Sequence, residues 1–301
     1  MQRRGNRRKL WSQVLGWTLN VVALLYILLA HHLDFVAAIQ TERNLLANVE
    51  NPIPEAVTLE NFEMLIFGVD EERAAQDLSF RNRFPPQIEN FPTAFRNSAI
   101  VAISTGLATI AMGSLSAYTL VRLRYPGRDF FGLLLLATRM VPLIVLVIPL
   151  FIRMRDYNLL NTLEGMILAQ TGFLLPFTVW MLRAYFDSLP GELEDAARVD
   201  GCTRLGSFWR VVLPLSMPGI AATFVITFLL AWNDFLIPIT LGGSEDVQTL
   251  PVLISSFISD TSLQYTVVNA TALLVMLPTV ILALLLQRYV VAGLTAGALK
   301  G

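Results

Sequence analysis

Residues 187–219, DSLPGELEDAARVDGCTRLGSFWRVVLPLSMPG, form a polar island between two long apolar runs. Pro190 suits the first turn of a helix, and the acidic residues that follow favour the positive end of that helix's dipole. Gly201 is expected to end this helix, and Thr203 is expected to cap a second one. The stretch therefore predicts a hairpin of two short helices.

Each helix of this hairpin has an uneven distribution of side chains. Ala196 and Ala197 leave one side of the first helix almost bare, while Leu193 and Val199 are expected to anchor the opposite side. The second helix has apolar residues at i, i+3, i+4 and i+7, which form one stripe. These residues are Leu205, Phe208, Trp209 and Val212. A hairpin of this kind is expected to pack against a partner.

The composition is that of a membrane protein. Of the 301 residues, 54% are hydrophobic and 15% are charged, with a mean hydropathy of +0.59. These values lie outside the usual range of a soluble domain. The net charge of −1 gives no indication of a nucleic-acid partner. The single cysteine, Cys202, excludes an internal disulfide and a multi-cysteine metal site.

Six apolar runs have roughly the 20 residues that are needed to cross a bilayer. They are residues 10–30, 97–121, 130–152, 165–182, 211–233 and 261–287. The third run is interrupted by Arg139. The runs predict an all-α integral membrane protein with six transmembrane helices.

The distribution of Lys and Arg predicts the orientation. Most of these residues lie before the first run or after the second, fourth and sixth, and the positive-inside rule assigns those segments to the cytoplasm. Both termini and the hairpin are then cytoplasmic. The predicted parts are a basic amino terminus (1–9), a first helix with its extension (10–40), an extracytoplasmic segment (41–96), a five-helix core (97–288) with a cytoplasmic loop (187–210), and a cytoplasmic tail (289–301).

The sequence shows no catalytic pattern. Lys9 and Lys300 are the only lysines and neither follows a glycine, so a phosphate-binding Gly-x-x-x-x-Gly-Lys loop is excluded. His31 and His32 are adjacent and belong to no metal-binding or triad pattern. We therefore expect no catalytic residue and no metal site in this chain.

The hairpin also carries a signature. Asp195-Ala196-Ala197, then Gly201, then Leu213-Pro214 resemble the EAA loop of the membrane subunits of binding-protein-dependent ABC importers, with Asp195 where that family usually has Glu. The resemblance implies the type I ABC importer transmembrane-domain fold and a loop that docks into an ATPase subunit. The residues to which it assigns this coupling are Glu192, Glu194, Asp195, Ala196, Ala197, Asp200, Gly201, Leu213 and Pro214.

Two further stretches are similar to the carbohydrate branch of that family. Trp232-Asn233-Asp234 closes the fifth run, where the indole either stacks on a sugar and the polar pair binds hydroxyls, or the three residues anchor a helix end. A flexible outer loop follows, and the resemblance implies that it reaches into the sugar-binding protein. Its first residues are Gly242, Gly243, Ser244 and Glu245. The carboxyl-terminal tail is similar to that of the shorter maltose-type permease subunit.

The resemblance implies a complete importer around this chain. Its parts are a second homologous permease subunit, a dimer of ATPase subunits that bind ATP and Mg, and an extracytoplasmic substrate-binding protein. The chain itself is expected to hold no cofactor and to form half of a sugar pathway. It would lie in the lipid of a prokaryotic inner membrane.

Arg139 is not explained by the resemblance. A charge inside an apolar run is costly and marks a pathway or a buried partner. Arg139 is expected either to line the pathway and bind sugar hydroxyls or an anionic group, or to lie against Glu164 or a backbone carbonyl. An Arg139–Glu164 pair would suit the alternative function, an ion-coupled secondary transporter, although the inverted repeats typical of that class are not seen.

Overall fold

The computed structural model describes residues 17–22, 25–26, 29, 31–47, 54, 56–69, 84–259 and 262–298. The chain divides into two compact units. The first comprises Met1–Glu89 and Phe257–Leu274, and the second comprises Asn90–Ser256 and Val275–Gly301. The predicted first span, residues 10–30, lies largely outside the described residues, of which residues 17–22 are helical.

Polar side chains tie the first unit together. Residues 31–38 are helical, and α1 (Glu42–Ala47) and α2 (Glu60–Phe67) follow. The Asn61 amide donates to the carbonyl oxygens of Ala38 and Gln40, both at 2.8 Å. The Glu42 carboxylate accepts a hydrogen bond of 2.9 Å from the Thr266 N–H. Glu42 thereby caps the helix that begins at Tyr265.

The second unit contains most of the helices. Its elements are α3 (Phe91–Arg122), α4 (Arg128–Thr138), α5 (Leu143–Asp156), α6 (Leu163–Ser188), α7 (Glu192–Val199), α8 (Arg204–Ser207), a π turn (Phe208–Val212), α9 (Leu213–Leu215), α10 (Met217–Trp232), α11 (Leu236–Leu241), a 3-10 turn (Glu245–Val247) and α12 (Leu250–Ser256). Two short strands, β1 (Ile258–Ser259) and β2 (Ser262–Leu263), pair antiparallel in the first unit, and α13 (Tyr265–Ala298) follows them. The predicted all-α class is confirmed, apart from this one strand pair.

Three helices of the described part are long and apolar enough to cross a membrane. They are Pro86–Arg122, Leu163–Ser188 and Tyr265–Gln287. Two bent pairs also qualify if each counts as one span, α4 with α5 at 93° and Arg204–Leu215 with α10 at 75°. The described residues therefore contain three candidate spans, or up to five, where the sequence predicts six over the whole chain.

Two predicted spans are broken where prolines interrupt them. The run 130–152 was predicted as one helix, but α4 ends at Thr138 and α5 begins after Pro142. The run 211–233 divides at Ser216, between Pro214 and Pro218. Proline has no N–H to donate and disfavours the α conformation in the residue before it, so the helix stops and the chain turns.

The long helices α3 and α6 pack along each other at the centre of the second unit. A Cβ atom on Gly113 would lie 2.8 Å from Cγ2 of Thr178, so glycine permits this close approach. Thr105 Oγ1 donates to Gln170 Oε1 at 3.3 Å farther along the same seam. One buried cluster lies at the Arg122 end of the seam and includes Tyr118, Leu182, Phe186, Phe208 and Val212. Another lies at its far end and includes Val101, Met166, Ile237 and Leu241.

Candidate coupling and transport sites

The first helix of the hairpin, α7, ends where the sequence predicts. Gly201 has φ of +90°, in the left-handed region that glycine adopts without strain. The N–H of Cys202 donates to the Ala197 carbonyl at 3.0 Å, and the N–H of Asp200 donates to the Ala196 carbonyl at 3.1 Å. The carbonyls at the end of α7 are thereby satisfied, and the chain can reverse direction at Gly201.

The second helix of the hairpin starts at the predicted cap. Thr203 Oγ1 accepts from the Gly206 N–H at 3.1 Å, and α8 then runs into the π turn. Phe208 and Val212 are buried, whereas Leu205 and Trp209 are exposed by 59% and 56%. The predicted apolar stripe is therefore divided, with one part in the core of this chain and the other on its surface.

A buried carboxylate fixes α7 to the end of α3. Glu194 Oε1 lies 2.7 Å from Nε of Arg122, and Glu194 Oε2 accepts from the Tyr118 hydroxyl at 3.0 Å. Both side chains of the ion pair are mostly buried. The Tyr118 hydroxyl also lies 3.2 Å from the carbonyl of Arg204, which connects the second helix of the hairpin to the same point. We call this group, Tyr118, Arg122 and Glu194, the clamp.

Arg122 extends the clamp to the end of α6. Its Nη2 donates to the carbonyl oxygens of Leu189 at 2.8 Å and Phe186 at 3.2 Å. Both carbonyls lie at the end of α6, where a helix leaves carbonyl oxygens short of donors, and the Phe186 carbonyl also accepts from the Leu189 N–H at 3.2 Å. A single guanidinium, with its fixed fork of donors, therefore joins α3, the end of α6 and α7.

The apolar residues of α7 lie on its exposed side, which differs from the prediction. Leu193 and Val199 were expected to anchor the helix, but they are exposed by 43% and 87%. The anchor is Glu194, because the clamp turns the carboxylate inward and leaves these two apolar residues on the surface. Of the other predicted coupling residues, Glu192, Asp195, Ala196, Asp200 and Pro214 are also exposed, and Ala197 and Leu213 are half-buried.

A basic cavity of about 660 Å³ adjoins the clamp. Its lining includes Arg124, Arg128, Arg198 and Arg204 as well as clamp residues. Arg198 lies 3.5 Å from Asp195 on the exposed side of α7. The surface next to α7 is therefore predominantly positive.

Arg139 lies at the break between α4 and α5, not within a helix as the sequence predicted. Its Nη1 donates to the Phe173 carbonyl at 3.0 Å, and its guanidinium lies 4.5 Å from the centre of the Phe173 ring. A largely apolar cavity of about 440 Å³ opens beside it. Of the predicted alternatives for Arg139, the structure has the backbone-carbonyl contact, and the aromatic ring adds a cation–π contact.

The Arg139–Glu164 pair is absent. Glu164 is exposed in the first turn of α6, and no ion pair with Arg139 occurs among the described residues. The membrane charge pair on which the secondary-transporter alternative depended is therefore not supported. Arg139 instead contacts Phe173, which lies about two and a half helical turns along α6 from Glu164.

Trp232 is part of the protein core. It is 2% exposed, its ring stacks on Phe228 at 5.6 Å, and Phe95 meets it edge-on at 5.7 Å. Its Nε1 donates to the Val275 carbonyl at 3.3 Å. The ring has no free face for a sugar, so the structure corrects the stacking prediction and gives Trp232 a packing role.

The two polar residues after Trp232 differ from each other. Asn233 is exposed and its amide donates to the Leu229 carbonyl of its own helix at 2.9 Å. Asp234 is half-buried, and its carboxylate accepts from Gln170 Nε2 at 3.0 Å and from the Leu236 N–H at 3.2 Å. Asp234 therefore joins the end of α10 to α6 and begins α11, as the helix-end alternative predicted.

The predicted outer loop opens at residues 241–246, and the segment 242–248, called loop 242–248 below, has an exposed tip. Gly243, Ser244, Glu245 and Asp246 are exposed, while Gly242 is buried. The loop has local structure, although the sequence predicts a flexible segment. It contains a 3-10 turn, and its backbone is bonded to side chains from elsewhere in the chain.

The hairpin, the clamp and α6 lie within a segment that matches a known protein family. Residues 109–295 match the sequence profile of the family described as "Binding-protein-dependent transport system inner membrane component". The chain belongs to this family.

Individual members of the permease family are similar over most of the chain. The sulfoquinovosyl glycerol transport system permease protein of Agrobacterium fabrum is 37% identical over 225 residues, which cover 72% of this chain and 79% of that protein. The trehalose transport system permease protein of Mycobacterium tuberculosis is 34% identical over 252 residues, covering 83% of this chain and 84% of that protein. The relatives include trehalose/maltose permeases, so the resemblance drawn from the sequence is confirmed.

A solved structure has the same fold. It is a bacterial ABC transporter involved in the import of the acidic polysaccharide alginate, with a TM-score of 0.72 and 22% identity, covering 92% of this chain and 96% of that one. The permease fold is therefore supported by both sequence and structure.

Several residues that organise this permease were not found from its sequence. Tyr118 and Arg122 were assigned to a span and to the inside charges, because nothing in their spacing indicates a contact with Glu194 so far along the chain. Asn97 and Asn161 were not singled out either, since single asparagines are common at helix ends.

Proposed function

We propose that this chain forms one half of the translocation pathway of an ATP-driven importer. The imported substrate is a sugar, either a di- or oligosaccharide or a related glycoside, delivered by a substrate-binding protein. The relatives named for sulfoquinovosyl glycerol and trehalose support a sugar or glycoside. A second homologous permease subunit supplies the other half of the pathway.

The observation that carries this proposal is the exposed apolar surface of a hairpin whose base is fixed. Val199 and Leu193 on α7, with Leu205 and Trp209 beyond the turn, expose large apolar groups on a segment that is otherwise polar. Exposed apolar patches with a polar rim are typical of protein interaction sites. An ATPase subunit docked here would move α7, and the clamp would transmit that movement to α3 and α6.

The ATPase partner would contribute the nucleotide chemistry. This chain has no phosphate-binding loop, because its only lysines are Lys9 and Lys300. ATP and Mg would therefore bind to the partner dimer. The 75° bend at Ser216, between two prolines, gives α10 a position at which movement of the hairpin can become rotation in the membrane.

The proposed orientation places the hairpin and both termini in the cytoplasm and loop 242–248 outside. This orientation is based on the positive-inside rule, because most Lys and Arg residues lie in the segments that would share one side of the membrane with the hairpin. Six spans in a prokaryotic inner membrane fit this arrangement. The outer loop would then face the substrate-binding protein.

Arg139 is the residue proposed to line the pathway. Its guanidinium uses one donor on the Phe173 carbonyl, borders a cavity and has no carboxylate partner among the described residues. The remaining N–H groups can bind the hydroxyl or anionic groups of a substrate. Asn233, exposed at the end of α10, is a second polar group available for hydroxyls.

The test is transport by the complete importer in proteoliposomes. Uptake of a radiolabelled sugar should require internal ATP and the binding protein, and should survive an uncoupler that removes the proton gradient. Substitution of both Val199 and Trp209 with Asp should abolish ATPase co-purification and uptake. Uptake that persists without ATP and is lost with the proton gradient would contradict the proposal.

A further inference from the structure

The exposed tip of loop 242–248 is held at both of its ends. At the first end, the Gly243 N–H donates to Oδ1 of Asn161 at 2.6 Å. At the other end, Nδ2 of Asn97 donates to the carbonyl oxygens of Asp246 at 2.8 Å and Gln248 at 3.1 Å. The segment between these two points is the part of the loop that faces solvent.

The two asparagines act through opposite atoms. Asn97 is fully buried on α3 and serves as a double donor, which only an amide side chain can do from one nitrogen at this length. Asn161 serves as an acceptor. A carboxylate could therefore replace the function of Asn161 but not that of Asn97.

The turn that carries Asn161 is shaped to present it to the loop. Asn161 has φ of +54°, a left-handed conformation that Asn adopts more readily than most residues. Its own N–H donates to the Leu241 carbonyl at 2.8 Å, so Asn161 contacts the chain on both sides of Gly242. Gly242 packs where a Cβ atom would overlap the end of the Met166 side chain. The first end of the loop is thus fixed by close packing as well as by hydrogen bonds.

Asn97 adds a connection through α3. Its neighbour Ser98 accepts from the Leu250 N–H at 2.8 Å through Oγ, so two successive residues of α3 hold the loop and the start of α12. The same uninterrupted helix ends in Arg122, which binds Glu194 of the hairpin. One rigid element therefore contacts both loops that the proposed function assigns to partner proteins.

We propose that Asn97 and Asn161 are positioning residues that hold loop 242–248 in one preformed shape for the substrate-binding protein. This inference rests on the proposed function, because it takes the loop as the binding-protein contact. A preformed loop loses less conformational entropy on association, and this strengthens binding without adding a contact. Neither asparagine needs to touch the partner.

The test uses the complete importer in lipid nanodiscs, with ATPase activity measured as the binding protein is titrated. Asn161→Ala should raise the half-maximal concentration of binding protein about tenfold, the effect of losing roughly one hydrogen bond's stabilisation. The basal ATPase rate and the maximal rate should change less than twofold. Asn269→Ala is the control, because the Asn269 amide donates to the Tyr265 carbonyl of its own helix and makes no hydrogen bond to the loop.

Substitution of Asn with Asp should affect the half-maximal concentration of binding protein at position 97 but not at position 161. Asn161→Asp keeps an acceptor for the Gly243 N–H and should leave the half-maximal concentration at the wild-type value. Asn97→Asp directs a carboxylate at two carbonyl oxygens and should raise it about tenfold or more. A purely structural role would not produce this difference.

Hydrogen exchange of the loop amides gives a second readout in the purified importer. Asn161→Ala should increase exchange at Gly243 and Ser244 while the α6 amides stay protected. Unchanged half-maximal concentrations for both Asn161→Ala and Asn97→Asp would overturn the inference. If Asn97→Asp fails to assemble, the Asn161 variants decide alone. A wild-type ATPase that does not respond to any binding protein would instead count against the proposed function.

Discussion

Nε of Arg122 lies 2.7 Å from Oε1 of Glu194, and this ion pair joins the last turn of α3 to the first turn of α7. The two side chains are only 18% and 11% exposed. An ion pair in such surroundings is weakly screened, and each partner depends on the other for the compensation of its charge. The pair therefore fixes the base of the hairpin while its apolar surface stays available.

The clamp should behave as one unit in a double-mutant cycle. Arg122→Gln or Glu194→Gln alone should destabilise the protein by about 3 kcal/mol, because each leaves a buried charge without its partner. The double variant should cost much less than the sum, with a coupling energy of about 1–3 kcal/mol. Thermal unfolding of the purified protein measures both quantities.

The control for this cycle is an exposed pair. Arg155 and Asp156 lie 3.3 Å apart with side chains 61% and 45% exposed. Asp156→Asn should change stability by less than about 0.5 kcal/mol. Additive effects of the Arg122 and Glu194 variants would show that the clamp is not a unit.

Substitution of two glycines with alanine, at positions with equal space around them, should change the stability of the protein in opposite directions. Nothing lies within 4 Å of a Cβ built on Gly201 or on Gly172, but only Gly201 has a positive φ. Gly201→Ala should destabilise by about 1 kcal/mol through backbone strain, with Gly201→Asn costing less. Gly172→Ala, within α6, should stabilise by about 0.5–1 kcal/mol. Equal melting temperatures for the two alanine variants would contradict this explanation.

Arg139 should matter for transport more than for assembly. Arg139→Gln should lower sugar uptake about tenfold, as expected when a charged hydrogen-bond donor is lost from a substrate site. The importer should still purify as a complex, because Arg139 is not part of the hairpin that is proposed to bind the ATPase, and its contact with Phe173 joins two segments of this chain. Arg155→Gln, an exposed arginine near the end of α5, is the control. Normal uptake by the Arg139 variant would remove this residue from the pathway.

Trp232 should affect stability and not substrate affinity. Trp232→Ala should cost about 3–5 kcal/mol, since it removes a large buried ring between Phe95 and Phe228. Trp232→Phe should keep most of that packing and leave the KM for sugar uptake within twofold of the wild type. A large rise in KM for the phenylalanine variant would restore the sugar-stacking prediction.

Local features of the hairpin could be predicted because they depend on neighbours in sequence. Gly201 and Thr203 set the end of α7 and the start of α8, and helix-capping geometry is determined within a few residues. The existence of α3 and α6 followed in the same way from the length of their apolar runs. The family resemblance rested on these local patterns and was confirmed.

Contacts between distant parts of the chain could not be predicted. Glu194 is one of several acids in α7, and only the approach of Tyr118 and Arg122 distinguishes it from Glu192. Hydropathy gives residues 130–152 as one apolar run, whereas the structure divides this run into α4 and α5 with a bend of 93°, because Pro142 redirects the backbone. Trp232 followed by two polar residues is a pattern expected of a sugar site, but Trp232 is buried because the rings of Phe95 and Phe228 pack against it.

Photocrosslinking from Val199 in the assembled importer tests the central claim most directly. A photoreactive amino acid at Val199, the most exposed apolar residue of α7, should crosslink to the ATPase subunit. The same group at Ser244, in the outer loop, should crosslink to the binding protein and not to the ATPase. A Val199 probe that reaches only lipid or the binding protein would contradict the assignment of the hairpin as the ATPase docking surface.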